Sequence, residues 1–370
     1  MTWDECKNIL CIRADNMGDV IMITPALKAV RQRFNAQLTL LTSSQGAPVC
    51  EAIPEIDEVI FADLPWVKLT TQMNADALNK LVALLKQKHF DAAIIFTVYS
   101  QSSLPAAMLC YLAEIPLRLA YARENPYNLL THWIPDPEPF AVVKHQVRRD
   151  LDLVKQIGAE VADESLSLGV SEQTRTTAVA KIKKIGADSS KPFLVFHAGV
   201  SELKRSYPVE AWKEVLQQSV AAFDTNIFFT GSAGERGMVD NICERGYANV
   251  YNLAGLLTVP ELIALLEEAR VILSVNTAIV HIAAAVKTPV AVLYALTNPQ
   301  HTPWQVRNRV LTFSVPEQMR SKNEVIRYVD KIHFNKIVEY PTPSRVVAAI
   351  RQLLDNDDKH SGSIVEELII

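Results

Sequence analysis

Short apolar runs alternate with segments of helical periodicity along most of the chain, and this alternation restricts the fold more than any other feature. The first run is Asn8–Arg13, and in the following segment, Asp19–Phe34, Val20, Ile23 and Leu27 recur at helical spacing. Continuous apolar runs are typical of parallel strands whose two faces are covered by helices. The pattern therefore predicts a doubly wound parallel α/β sheet. Further strands are predicted at Gln37–Thr42, Ile56–Phe61, Asp91–Thr97 and Arg118–Ala122, and helices at Ala75–Lys88, Ser102–Ala113 and Val143–Ile157.

The alternation stops and then starts again, which indicates two domains. Gly158–Ser171 has no strong pattern, and strands resume at Phe193–His197. A chain of 370 residues also fits two domains of roughly 100–200 residues each. We predict a Rossmann-like N-terminal domain over residues 1–165 and a linker over 166–185. A second Rossmann-like domain over 186–340 and a C-terminal helix and tail over 341–370 complete the prediction. The tail beyond Asp355 is expected to fray, although Leu368–Ile370 are apolar.

The second domain has its own predicted elements. Strands are predicted at Asn226–Thr230, Val250–Leu253, Val271–Val275 and Val290–Tyr294. Helices are predicted at Val209–Ala222, Ser232–Glu244, Val259–Ala269 and Ala278–Val286, with Ser344–Leu354 as the late helix.

Composition restricts the cellular setting. The formal net charge of −4 gives no reason to expect nucleic acid as a partner. The chain has no run of roughly 20 apolar residues that would cross a bilayer, and its start lacks the basic and apolar regions of a signal peptide. The five cysteines are scattered without metal-ligand spacing, so free thiols and no bound metal are expected. These features predict a cytoplasmic protein.

Open parallel sheets bind ligands outside the carboxyl ends of their strands, so the junctions after strands are the candidate sites. The first junction carries Arg13, Asp15, Gly18 and Asp19. Gly18 permits a close backbone approach, and Asp19 is either a helix N-cap or a general base at the edge of a cleft. Asp15 is expected to cap, to orient Arg13 or to assist Asp19. The junction lacks both the GxGxxG pattern of dinucleotide-binding proteins and a Walker A motif.

Two junctions in the second domain suit phosphate or ribose. After Phe193–His197, a loop carries Gly199, Ser201 and Lys204, which together offer backbone, hydroxyl and ammonium donors for a diphosphate. The alternative is a solvated basic loop. After the next strand, Ser232 and Glu235 stand at a helix start, where they either bind ribose and phosphate or form an ordinary tight turn.

A third junction in the second domain combines an amide, a hydroxyl and an imidazole. Asn276 and Thr277 lie at a helix start and are candidate phosphate donors. His281 follows Thr277 by four residues and shares its helical face. His281 is either part of the donor site or a packed core histidine.

At these four junctions the chain resembles glycosyltransferase family 9, which includes the lipopolysaccharide heptosyltransferases. The resemblance runs from about Ile9 to Trp304. It is most specific in IRADNMGDVIMITPAL near the start and in SVNTAIVHIAAAVKTPVAVLYALTNP later. The segment His145–Leu153 (HQVRRDLDL) is also similar to the family's approach to the interdomain region.

The resemblance implies the GT-B fold, in which two Rossmann-like domains face each other across a cleft. It implies a metal-independent, inverting glycosyltransferase whose acceptor binds the N-terminal domain and whose sugar nucleotide binds the C-terminal domain. The family's catalytic carboxylate falls on Asp19 and its phosphate-binding lysine on Lys204. A heptosyl group from ADP-heptose and a lipopolysaccharide core acceptor are the implied substrates, with no cofactor.

Two departures from the family pattern bear on the donor. Asp-Thr/Ser-Gly is replaced by Asn276-Thr277-Ala278, and Gly-Pro-Thr-Asp-Pro by a run that ends in Asn298-Pro299. Each removes a negative charge near the expected diphosphate. Another nucleotide sugar, a sugar-nucleotide epimerase and a catalytically weak sugar-nucleotide-binding protein are therefore the alternatives. A lipid-linked acceptor implies contact with the inner face of the cytoplasmic membrane, for which Trp66, Lys68, Arg118 and Arg123 are candidates.

Overall fold

The computed structural model describes residues 1–68, 73–188 and 191–355, which form two compact units. The first unit is Met1–Ser167 and the second begins at Leu168. Each unit contains a parallel six-stranded sheet flanked by helices, so the predicted doubly wound α/β class is confirmed. The predicted tail with Leu368–Ile370 lies outside the described residues.

The sheet of the first unit has the strand order β3-β2-β1-β4-β5-β6. The chain therefore starts in the middle of the sheet, extends to one edge and then returns to build the other side. The strands are β1 (Asn8–Ile12), β2 (Gln37–Thr42), β3 (Glu58–Phe61), β4 (Ala92–Ile95), β5 (Leu117–Ala122) and β6 (His132–Pro135), and the helices are α1 (Met17–Met22), α2 (Thr24–Phe34), α3 (Ala75–Gln87), α4 (Leu104–Leu112) and α5 (Gln146–Lys155).

The second unit repeats this plan with the order β12-β11-β10-β7-β8-β9. The strand order reverses between β1 and β4 in one sheet and between β7 and β10 in the other, and ligands of such sheets bind beside this point. Its strands are β7 (Phe193–His197), β8 (Asn226–Thr230), β9 (Val250–Asn252), β10 (Val271–Val275), β11 (Val290–Ala295) and β12 (Asn308–Phe313), and its helices are α6 (Glu172–Lys184), α7 (Val209–Ala222), α8 (Arg236–Ile242), α9 (Val259–Glu268), α10 (Ala278–Ala285), α11 (Glu324–His333) and α12 (Pro343–Asp355).

The predicted helix Asp19–Phe34 is in fact two helices, α1 and α2, that meet at Ile23. Pro25 lies in the first turn of α2, where a missing backbone N–H is tolerated. The same proline cannot continue the preceding helix α1, because it has no N–H to donate to that helix. The Thr24 hydroxyl donates to the carbonyl of Ile21 at 2.8 Å, which satisfies one terminal carbonyl of α1. The break ends α1 at Met22, and Asp19 lies in the first turn of this short helix.

The region 166–185 differs from the predicted linker, because most of it is helix α6. Ser171 caps this helix by accepting from the backbone N–H of Thr174, and α6 packs against α9 of the second unit. Similarly, Ser232–Glu244 is divided into a short 3-10 turn and α8.

Two further features concern the whole described chain. The cysteines are free thiols, four of them buried and Cys243 partly exposed, which confirms the prediction from their spacing. Among the described residues, no helix has the length and apolar content that a membrane crossing requires.

Candidate active site

A buried arginine organises the carboxyl end of β1. Arg13 directly follows the strand, and its side chain is fully buried. Its Nη2 donates to Asp19 Oδ1 at 2.8 Å, and its Nε lies 3.2 Å from Asp15 Oδ2. Asp19 is the third residue of α1, whose N-cap position is occupied by Asn16. Asp19 is therefore not the N-cap that sequence alone left open, and its side chain remains 13% exposed.

Asp15 has a positioning role in this cluster. Its Oδ1 accepts from Gln101 Nε2 at 2.6 Å, while its other oxygen faces Arg13. Burial raises the pKa of Asp15, and the nearby Arg13 charge opposes that shift. With both oxygens engaged, Asp15 fixes the guanidinium that in turn holds Asp19. Gly18 is buried beside Asp19 in the first turn of α1.

Helix α5 contributes a third carboxylate that the sequence did not single out. Asp150 is buried, and its Oδ1 accepts from Gln146 Nε2 at 2.9 Å, one helical turn away. Burial raises the pKa of Asp150 to about 7, opposed chiefly by Arg13. The guanidinium of Arg13 thus lies in the field of Asp15, Asp19 and Asp150. The spacing of four residues between Gln146 and Asp150, in an otherwise amphipathic helix, is the sequence feature from which this carboxylate could have been predicted.

In the second unit, the loop after β7 presents Lys204 in a short 3-10 turn, Leu203–Arg205. Its ammonium is 3.2 Å from Glu202 Oε2, and its side chain is 26% exposed. His197, at the end of β7, pairs its Nδ1 with Thr230 Oγ1 at 2.9 Å. Burial lowers the pKa of His197 to about 4, so this imidazole is neutral at pH 7. Lysine and arginine therefore supply the positive charge of the loop.

Gly199, Ser232 and Glu235 form one compact contact. Glu235 Oε2 accepts from the backbone N–H of Ser232 at 2.6 Å and from its hydroxyl at 2.9 Å. A Cβ added to Gly199 would lie 2.2 Å from Glu235 Oε1, so any other residue there would displace the Glu235 carboxylate. The backbone and hydroxyl donors of Ser232 both serve this tight turn, and its contact with a phosphate stays a prediction. The predicted ribose contact of Glu235 stays a prediction, as does the phosphate contact of the exposed Ser201.

Asn276 has an internal role that the sequence did not predict. Its Oδ1 accepts from the backbone N–H of Ala295 at 3.1 Å. Its Nδ2 lies 3.2 Å from the Ala295 carbonyl and 3.3 Å from Thr297 Oγ1. The side chain thus ties the carboxyl ends of β10 and β11 together. The predicted donation from this amide to a phosphate stays a prediction.

Thr277 and His281 lie on the helix that follows Asn276. Thr277 is the partly exposed N-cap residue of α10, with its Oγ1 3.5 Å from Ser274 Oγ. His281 is 5% exposed, and its ring lies edge-to-face with His301 at a centroid distance of 6.2 Å. This packing matches the core-histidine alternative, whereas Thr277 keeps the placement expected of a phosphate ligand.

Comparison with known proteins assigns the chain to a family. Residues 78–331 match the profile of "Glycosyltransferase family 9 (heptosyltransferase)". The chain belongs to glycosyltransferase family 9. It is 24% identical over 302 residues to the lipopolysaccharide core heptosyltransferase OpsX of Haemophilus influenzae, covering 80% of this chain and 82% of that protein. This family 9 protein is therefore a glycosyltransferase.

Two solved structures share its fold. The family 9 glycosyltransferase of Veillonella parvula superposes with a TM-score of 0.76 at 19% identity, covering 96% of this chain and 98% of that one. The ADP-heptose lipopolysaccharide heptosyltransferase II of Escherichia coli gives 0.69 at 19% identity, covering 94% and 98%. These matches and the two parallel sheets confirm the predicted two-domain α/β fold.

The family pattern has aspartate where this chain has Asn276, and the amide contacts of Asn276 make the effect of that difference on stability testable. We expect Asn276→Asp to lower the free energy of unfolding by about 1–3 kcal/mol, because a carboxylate cannot donate to the buried Ala295 carbonyl. Urea denaturation at pH 7 measures the loss.

Asn298→Asp is the matched control for this change. Asn298 Oδ1 caps the turn Pro299–His301 by accepting from the backbone N–H of Gln300 at 2.9 Å. Asparagine and aspartate cap about equally well, and a carboxylate can accept from the His301 imidazole that lies 3.2 Å from Asn298 Nδ2, so this control should change stability little. Equal stability of the Asn276→Asp variant and the unchanged protein would contradict the bridging role.

The proposed membrane patch needs correction at two residues. Arg118 is 8% exposed, and its guanidinium donates to the backbone carbonyls of Leu129 at 2.7 Å and Asn128 at 2.8 Å. Arg123 donates to the carbonyl of Glu138 at 2.9 Å. Both arginines hold loops of the first unit together, whereas Lys68 is exposed and Trp66 partly so.

Proposed function

We propose that this glycosyltransferase moves a heptosyl group from ADP-heptose to a lipopolysaccharide core acceptor, with inversion at the anomeric carbon and without a metal. The names of the relatives support the donor and acceptor classes: one is a lipopolysaccharide core heptosyltransferase, and a solved neighbour is an ADP-heptose lipopolysaccharide heptosyltransferase. The Arg13–Asp19 pair at the carboxyl end of β1 is the observation that carries the proposal.

In the proposed reaction, Asp19 accepts the proton of the acceptor hydroxyl as that oxygen attacks the anomeric carbon. The bond to the nucleoside diphosphate breaks on the opposite face, so the configuration inverts. Arg13 and Asp15 hold the carboxylate of Asp19 in one orientation, which a general base requires. The acceptor binds the first unit in this scheme.

The second unit binds the donor in this proposal. Lys204 and the N-terminus of α10 at Thr277 offset the charge that develops on the departing diphosphate. Glu235 lies on the β8 side of the strand-order reversal, where it suits the ribose of the nucleotide. Asn276 supports the site from behind by joining the ends of β10 and β11, so its departure from aspartate removes no donor ligand.

The proposed setting is the cytoplasm, at the inner face of the cytoplasmic membrane where a lipid-linked acceptor is available. Lys68 and Trp66 remain the residues of the first unit that suit such a contact.

A thermal-shift panel of nucleoside diphosphates and sugar nucleotides, run without divalent metal, tests the donor. A ligand at 100 times its Kd stabilises the folded state by about 2.7 kcal/mol, so the midpoint of unfolding should rise clearly with ADP and with ADP-heptose. Stabilisation by UDP or GDP species alone would replace the proposed donor. An unchanged midpoint with every nucleotide would contradict the proposed function.

A further inference from the structure

Asp150 is a buried titratable residue that the proposed reaction does not use. It lies on α5, far along the chain from Asp19, and is 1% exposed. Its Oδ1 accepts from Gln146 Nε2 at 2.9 Å, whereas its Oδ2 accepts no hydrogen bond from any residue that the structure describes. A buried carboxylate with one oxygen unbonded is costly to ionise, so Asp150 favours its protonated form.

Among the charged groups around Asp150, Arg13 acts on it most strongly. Arg149 is the adjacent residue of α5, but its guanidinium pairs with Asp136 and with Glu138, at 2.7 Å each. The charge of Arg149 is therefore largely balanced by these two acids. The charge that favours the ionised form of Asp150 comes chiefly from Arg13, across the boundary between α5 and the end of β1.

The other elements that pack against α5 have their charged groups engaged elsewhere. Strand β5 faces it with Tyr121, whose ring centroid lies 4.5 Å from Cζ of Arg149. At the end of β1 and in α1, the charged residues that act on Asp150 are Arg13 and Asp19. The charged residues of α2 form three pairs: Lys28 with Asp163, Arg31 with Asp57, and Arg33 with Asp4. Asp150 therefore responds chiefly to the cluster around Arg13.

One guanidinium serves three carboxylates in this cluster. Arg13 Nη2 is 2.8 Å from Asp19 Oδ1, and Arg13 Nε is 3.2 Å from Asp15 Oδ2. The side chains of Asp15 and Asp19 keep 12% and 13% exposure, whereas Asp150 is almost completely enclosed. Because one cation cannot balance three negative charges there, the cluster keeps a proton, which falls on the most enclosed carboxylate. Burial accordingly raises the pKa of Asp150 to about 7.

We infer that Asp150 is a positioning residue that sets the base strength of Asp19 through Arg13. This inference rests on the proposed function, in which Asp19 takes the proton of the acceptor hydroxyl. An ionised Asp150 offsets part of the Arg13 charge, so the Asp19 carboxylate attracts a proton more strongly. A protonated Asp150 leaves the Arg13 charge acting on Asp19, which is then a weaker base. A general base works best when its proton affinity matches the operating pH, so ionisation of Asp150 speeds the proton transfer.

The pH profile of kcat tests this inference, measured as ADP release during transfer from ADP-heptose to a lipopolysaccharide core acceptor. In the unmodified protein, kcat should rise through a step near pH 7 as Asp150 ionises. Asp150→Asn should remove that step, because the amide stays neutral and can still accept from Gln146 Nε2. The variant should match the unmodified protein at about pH 6 and be about 3–10-fold slower at about pH 8.

Two further variants separate charge from packing. Gln146→Met removes the hydrogen bond that favours the ionised form of Asp150, so the step in kcat should move to higher pH. Asp152→Asn is the matched control on the same helix, since Asp152 is partly exposed and pairs with Lys144 at 2.5 Å. It should leave the pH profile of the unmodified protein unchanged.

Urea denaturation supplies a readout that does not depend on transfer. If folded Asp150 keeps its proton, the unmodified protein should lose stability relative to Asp150→Asn as the pH rises from about 5 to about 7. A stability difference that does not change with pH would overturn the inference. So would a kcat that falls equally at every pH in Asp150→Asn, or a step that survives the substitution, and either result would leave the proposed function standing. An unmodified protein that transfers no heptose would overturn the proposed function and, with it, the role of Asp150.

Discussion

The Asp19→Asn variant should lose about 10²–10⁴-fold in kcat while it binds ADP with nearly unchanged affinity. Asparagine has the shape of aspartate and can still accept from Arg13 Nη2, which lies 2.8 Å from Asp19 Oδ1. It cannot take the proton of the acceptor hydroxyl. The loss should therefore fall on the chemical step, measured by steady-state transfer with ADP release and by calorimetry with ADP.

A variant of Asp15, the neighbouring carboxylate, distinguishes the loss of a catalytic group from the loss of a positioning group. Asp15 uses one oxygen for Gln101 and the other for Arg13, so Asp15→Asn should reduce kcat by a smaller factor than Asp19→Asn. Asp76→Asn is the inert control, because Asp76 is an exposed acid in the first turn of α3. A parallel fall in ADP affinity and thermal stability in Asp19→Asn would assign Asp19 a structural role instead.

Central strands were predictable because their burial is continuous. β7, β8 and β10 match the predicted bounds at every residue, since residues such as Val195 and Phe228 are covered on both faces of the sheet. β6 and β12 lie at sheet edges and were not predicted. Alternating exposure along His132–Pro135 weakens the apolar run that identifies a strand.

Helix α11 escaped prediction for a different reason. Its sequence, Glu324–His333, mixes charged and apolar residues and follows a segment without regular periodicity. This helix nevertheless places Asp330 in a cavity that Lys204 also lines, so a charged residue near the phosphate loop lay outside every recognised motif.

The candidate site was predictable where a single junction contains it. Arg13, Asp15 and Asp19 fall within one strand-to-helix turn, so their proximity follows from local sequence. Asp150 reaches the same guanidinium from α5, far along the chain. Such a contact depends on how α5 packs on α2, which local patterns do not specify.

Arg13→Met should destabilise the protein by about 3–5 kcal/mol at pH 7 or above, the range typical when one partner of a buried ion pair is removed. Methionine preserves most of the volume of the fully buried side chain, so the loss is electrostatic. Asp15, Asp19 and Asp150 would then lie together without their compensating cation. Urea denaturation across pH 5–8 measures the effect.

The pH dependence distinguishes charge from packing. The pKa values of Asp15 and Asp150 are already raised in the folded protein, Asp150 to about 7, and loss of Arg13 raises them further. The folded variant then binds more protons than the unfolded chain from about pH 4 up to at least about pH 7, so its stability falls as the pH rises through this range. The deficit relative to the unchanged protein should therefore be smallest near pH 5.

Arg33→Met is the control, because it removes an exposed pair with Asp4 and should cost about 1 kcal/mol or less at every pH. A pH-independent deficit in Arg13→Met would instead attribute the loss to packing, and the three carboxylates would not form one electrostatic unit around Arg13.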